Sequence, residues 1–192
     1  MKKTQILAIA ALAAAATFQT AAKAEDPVNP VQGAVCNLYW LDIPSSKDPK
    51  AFKELAGSLL SEPAAATFVD TAADFKVASK RQGINSSMGM WTGWLKQEKA
   101  GTYTFLCKRG SYNEGFYYRY SIWINGQKCV DADYWQTSFN VELNAGFNEV
   151  KIIAGSMYAD RPYPLSITYK KAGSLKDPVS FGPGDMFYDD EE

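Results

Sequence analysis

The sequence predicts an all-β protein, an antiparallel β-sandwich, and three observations predict it. From Trp91 onward apolar and polar residues alternate with period two, as half-buried strands require. Asn125-Gly126 separates two alternating runs, and a two-residue hairpin needs positive φ at both turn positions, which these residues tolerate best. Several such runs follow at close spacing with turns between them and no linker, which indicates two packed sheets in one domain.

The chain opens with Lys2 and Lys3, an apolar, Ala-rich run over 6–18, and Ala22-Lys23-Ala24. These are the basic, apolar and small-x-small segments of a secretory signal peptide. Gln5 and Gln19 bracket a run shorter than the roughly 20 apolar residues of a membrane-spanning helix. No second apolar span follows. Residues 1–24 are therefore expected to be removed and the protein exported to the periplasm, cell surface or medium. Residues 25–34, with Pro27, Pro30 and Gly33, read as an extended leader, and 35–192 as one domain with an acidic tail.

Residues 35–43 hold Leu38, Tyr39 and Trp40 and predict a first strand ending at Pro44. Asp48 as N-cap and Pro49 at the first helical position open a short helix near 49–61, with Phe52, Leu55, Leu59 and Leu60 on one face. Glu62-Pro63 ends it. Over 64–90 the pattern is weaker, with a strand near 75–78 and then a Gly, Asn and Ser-rich loop.

Trp91 and Trp94 begin the alternating region and read as core. In 101–107, Tyr103, Phe105 and Cys107 share a face while Thr102 and Thr104 take the other. In 116–124 the even positions are uniformly apolar or aromatic, from Phe116 to Ile124. A two-residue turn at Asn125-Gly126 places Cys129 opposite Ile122, facing inward. Phe139, Val141 and Leu143, then Val150 and Ile152 after the Ala145-Gly146 turn, and finally Leu165, Ile167 and Tyr169 supply the remaining inward faces. The last residues carry five acids, Asp185, Asp189, Asp190, Glu191 and Glu192, and read as a solvated end.

Composition removes several function classes. The chain has no histidine, which excludes a Ser-His-Asp or Cys-His apparatus and any imidazole-ligated metal site. Its formal charge is −1, and losing Lys2, Lys3 and Lys23 with the signal peptide makes the mature chain more acidic. No basic field attracts nucleic acid or anionic lipid, so a nucleic-acid partner is not expected. Three cysteines, Cys36, Cys107 and Cys129, suit an oxidising compartment and allow at most one intrachain bridge. The shortest loop favours a disulfide between Cys107 and Cys129; three thiols packed as small apolar groups is the alternative.

Asp131-Ala-Asp133 presents two carboxylates at strand spacing. With oxygens from Asn113, Glu114 or Asp160 they make a candidate calcium site, against the reading of two solvated acids. The aromatics outside the inward sets are the stronger signal: Tyr112, Tyr117, Trp123, Tyr134 and Trp135, with Tyr158 and Tyr163 later. Flat rings with polar tips suit sugars or peptide partners. The ligand-binding candidates are Tyr112, Asn113, Glu114, Tyr117, Tyr134, Trp135 and Tyr158.

Taken in order, five words resemble the protective-antigen domain family. They are Trp91-Thr-Gly93-Trp94-Leu95, Gly101-Thr-Tyr103-Thr-Phe105, Ile122-Trp123-Ile124-Asn125-Gly126, Leu143-Asn-Ala-Gly146-Phe-Asn148-Glu-Val150, and Pro164-Leu165-Ser166-Ile167-Thr168-Tyr169. The resemblance implies a β-sandwich found in exported glycosidases, adhesins and toxins, often recognising carbohydrate. In the adhesin branch adjacent aspartates hold a sugar-binding calcium. The corresponding stretch here, 108–115, reads Lys-Arg-Gly-Ser-Tyr-Asn-Glu-Gly and lacks that pair.

The sequence therefore predicts an exported, non-catalytic module that recognises glycan or another cell-surface ligand through loop aromatics, with calcium as a candidate cofactor. The alternative is a structural or protein-interaction subunit of the envelope, with a spare cysteine to link chains. A carboxylate-based glycosidase needs two acids at a defined separation, and no motif supplies them.

Overall fold

The computed structural model describes residues 25–41, 63–76, 86–109, 118–132, 136–156 and 164–190. The signal peptide expected over 1–24 and the helix expected near 49–61 lie outside them. Twelve strands and one short 3-10 turn make up the described chain. They are β1 (Pro30–Gln32), β2 (Ala34–Leu41), β3 (Ala66–Asp70), β4 (Ser86–Gln97), β5 (Gly101–Arg109) and β6 (Tyr118–Ile124). After the hairpin come β7 (Gln127–Ala132), β8 (Gln136–Leu143), β9 (Gly146–Ser156), β10 (Leu165–Lys171), β11 (Val179–Phe181) and β12 (Phe187–Asp189).

Every pairing is antiparallel, and the strands form two sheets. The smaller has the order β11-β10-β5-β8. In the larger, β4 pairs with β9 along its full length and β9 continues to β6 and β7. The other edge of β4 is shared, with β2 on its first half and β12 meeting it at Trp94; β3 then extends β2 and β1 extends β12.

The predicted alternation sets the core. Tyr103, Phe105 and Cys107 on β5, Ile122 and Ile124 on β6, and Val150 and Ile152 on β9 all point between the sheets. Phe75 packs edge-on against Trp91 and Phe181, and Phe105 stacks on Phe139 and Tyr169. Each aromatic pair contributes about 1 kcal/mol beyond its buried area. Trp91 is fully buried, and its indole N–H donates to the Asp70 carboxylate at 2.8 Å, which satisfies the one polar atom it takes inside.

Three expectations are corrected. Trp94 is not in the core: three positions from Trp91 on one strand, it takes the opposite face and lies half-buried outside the larger sheet. Cys129 does not face Ile122. A β-bulge pairs Trp123 with Lys128 and Ile122 with Val130, so Cys129 is the extra residue. The acidic end is not simply solvated, since β12 pairs with β1 and Asp189 accepts the backbone N–H groups of Val28 and Asn29 at 3.0 and 2.7 Å. The leader and the tail thus hold each other against β4.

Candidate functional site

The register decides where the predicted loops leave the sandwich. Short turns join β4 to β5 and β8 to β9, so Gln97, Gly101, Leu143 and Gly146 share one pole. At the other pole Ser87 pairs with Ser156 and Ser156 with Tyr118, across β4, β9 and β6. There too Leu41 meets Ser86, Lys108 meets Gln136, and Arg109 meets Leu165. The strand ends that bound 42–62, 77–85, 110–117, 133–135 and 157–163 therefore all lie at this second pole.

The candidates Tyr112, Asn113, Glu114 and Tyr117 fall between β5 and β6, Asp133, Tyr134 and Trp135 between β7 and β8, and Tyr158 between β9 and β10. These residues are outside the described ones. The structure brings together the strand ends that carry them, three separate stretches of sequence converging on a single pole.

One residue at that pole went unassigned in the sequence. The parity that turns Tyr103, Phe105 and Cys107 inward also turns Arg109 inward, and it is only 7% exposed. A buried guanidinium carries a planar fork of donors suited to carboxylates and to other oxygen acceptors. Its signal was present in the alternation, at the end of β5.

Asp131, the described half of the candidate calcium pair, is committed elsewhere. Its Oδ1 accepts from Ser121 Oγ at 2.9 Å and its Oδ2 lies 3.2 Å from Lys128 Nζ. A hard cation needs several oxygens; here the Lys128 ammonium already lies against this carboxylate and would compete with one. Among the described residues no cluster of three acids or thiols could hold a metal ion. Trp123, also outward, is covered: the ammonium groups of Lys151 and Lys128 sit 4.6 and 5.1 Å from its ring centre. That ring is not an open platform for a sugar.

All three cysteines are free thiols in this structure. Cys129 donates its S–H to the Gln127 carbonyl, a geometry that follows from the bulge. Burial pushes the Cys36 thiol up to about 12, with the Asp70 carboxylate adding to it. Cys107 rises to about 12 through burial and then through its neighbour Cys129. Neither carries the depressed pKa of a reactive thiol.

No family model matches the sequence, and no curated protein matches it. Solved structures do. The PA14 sugar-binding domain from an RTX adhesin superposes with a TM-score of 0.58 at 19% identity, covering 82% of this chain and 99% of that one. The PA14 domain of the MpAFP antifreeze protein gives 0.58 at 15% identity, covering 89% and 98%. The Epithelial Adhesin 6 A domain from Candida glabrata, solved with Galb1-3GlcNAc, gives 0.56 at 14% identity, covering 88% and 96%. The chain thus has the PA14 β-sandwich fold, as the five sequence words implied.

Proposed function

We propose that the protein is an exported, non-catalytic binding module that recognises glycan through the pole where β5–β6, β7–β8 and β9–β10 are connected. One observation carries the reading: the register gathers at one pole the strand ends that bound the three segments holding Tyr112 and Tyr117, Tyr134 and Trp135, and Tyr158 and Tyr163. The support from comparison is that similar folds include a sugar-binding domain and an adhesin solved with a disaccharide. Export rests on the signal-peptide pattern of residues 1–24. Among the described residues no helix is long and apolar enough to cross a membrane.

The envelope-subunit alternative relied on a spare cysteine to join chains. Cys36 and Cys107 are buried, and burial also raises the Cys129 thiol, so no described cysteine is presented as reactive. The binding reading is favoured. A glycan array followed by isothermal titration, each with calcium and with chelator, tests it. Saturable binding to a carbohydrate is expected, and silence across the array under both conditions would refute it.

A further inference from the structure

The pole opposite the candidate loops has a cleft of its own. Between the β4–β5 turn and the 172–178 turn after β10 lies a cleft of about 670 Å³. Five lysines line it, Lys96, Lys99, Lys170, Lys171 and Lys176. Two carboxylates, Glu98 and Asp177, line it with them, and a third, Asp185, acts on Tyr169 from nearby. A surplus of positive charge is thus concentrated in one concavity of a chain whose formal charge is −1. Concave walls focus such a field and raise the local concentration of anions.

The cleft is held in shape by its own hydrogen bonds. Lys171 Nζ donates to the Ala100 carbonyl at 3.1 Å and Ala172 N–H to the Thr102 carbonyl at 2.8 Å, tying one turn to the other. The Tyr103 hydroxyl donates to the Lys99 carbonyl at 2.7 Å. Lys99, Lys170 and Lys176 form no ion pair among the described residues, so their charges are not neutralised in place.

Tyr169 supplies a directed polar contact. Its hydroxyl oxygen accepts from Gln97 Nε2 at 2.9 Å, which leaves its own proton to donate into the cleft. Burial is the first cause that raises its pKa above the ordinary 10, so it remains a donor through neutral and mildly alkaline pH. Gln97 is itself buried and fixes the hydroxyl from behind.

Lysines are mobile point charges without the planar fork that selects a single carboxylate. Several of them around one cleft suit an acidic group repeated along a chain. The Tyr169 ring stacks on Phe105, so its hydroxyl edge is what it presents beside them, a donor suited to a sugar oxygen. We propose that this cleft binds a segment of acidic polysaccharide, its carboxylates held by the lysines and one sugar oxygen accepting from Tyr169. The site is distinct from the loop pole and does not depend on it.

Titration of the protein with polygalacturonate tests the proposal, with neutral dextran and inorganic polyphosphate in parallel. Polygalacturonate is expected to bind saturably and more weakly as salt is raised, and dextran not to compete. The triple variant Lys99→Glu, Lys170→Glu, Lys176→Glu should bind at least tenfold more weakly with an unchanged melting temperature. If charge reversal unfolds the chain, the corresponding Lys→Gln set gives the same test. Absence of polygalacturonate binding, equal affinity in the variant, or competition by dextran would overturn the proposal. So would polyphosphate binding as tightly as polygalacturonate, which would assign the cleft to phosphate groups.

Discussion

The side-chain amide of Asn125 donates to Oδ1 of Asn148 at 3.0 Å, joining the β6–β7 hairpin to the β8–β9 turn. Asn125 sits at φ 50° and accepts the Glu149 N–H on its own Oδ1 at 3.0 Å. Asn148 is fully buried, accepts the Asn144 N–H at 2.8 Å, and donates to the Asn144 carbonyl at 3.0 Å. Two sequence words are thus one physical unit. Asn148→Leu keeps the volume and leaves several of these groups unpaired inside the protein. A loss of about 3 kcal/mol is expected at the urea midpoint, since each orphaned buried group costs about 1–3 kcal/mol. A loss within experimental error would show that the network is replaceable by water.

Gly93 explains why the first word contains a glycine. A Cβ there would lie 2.5 Å from the Phe187 carbonyl oxygen and 3.1 Å from Met186 Cε. The glycine permits β12 to close on β4, and through β12 it holds β1. Gly93→Ala is expected to cost about 1–3 kcal/mol, the usual range for overpacking. Amide exchange should quicken first in β1 and β12; uniform quickening across both sheets would contradict this placement.

Alkali should unfold the protein through its buried thiols. Cys36 and Cys107 are raised from 9.0 to about 12, so the fold favours their protonated forms. Their contribution to stability is complete below the unfolded pKa near 9, and falls as pH rises from there through about 12. Denaturation midpoints should decline across that window, and more shallowly in Cys36→Ala and Cys107→Ala. Parallel curves for wild type and variants would assign the alkaline loss to other groups.

For the loop pole, Trp135→Ala and Tyr158→Ala should each weaken binding to the glycan found on the array by about tenfold, or 1.4 kcal/mol. Their melting temperatures should match wild type, and unchanged affinity in both would remove those rings from the site.

Asp131→Asn provides a contrast. Its ion pair with Lys128 is largely solvated, and such pairs contribute at most about 1 kcal/mol. Stability and any calcium response should therefore stay near wild type. A calcium response lost in this variant alone would restore Asp131 as a ligand.

From Trp91 to β10 the strands are legible because each has one face on the core and one outside, so period two is written into the residues; the first residues of β4, Ser86 to Met90, read as loop because 87–89 are all buried and show no alternation. β3 is not legible: its five residues are exposed or half-buried and carry no alternation. β1 and β12, three residues each, are too short to show a period and exist through pairing with each other. Trp94 was read with Trp91 because both are large and apolar, although parity separates them. The bulge at Cys129 left no signal, since an extra residue shifts register without changing composition. Arg109 follows the same parity, although a charged residue is rarely found inside.

By itself the sequence determined the sandwich, most of the inward faces and the turns at Asn125-Gly126 and Ala145-Gly146, because these follow from neighbours two positions apart and from φ preferences. Tertiary structure alone decided that leader and tail pair, that Lys96, Lys99, Lys170, Lys171 and Lys176 share one cleft, and that the candidate loops spring from one pole. Those juxtapositions join residues tens of positions apart, and only strand register and sheet order bring such residues together in space.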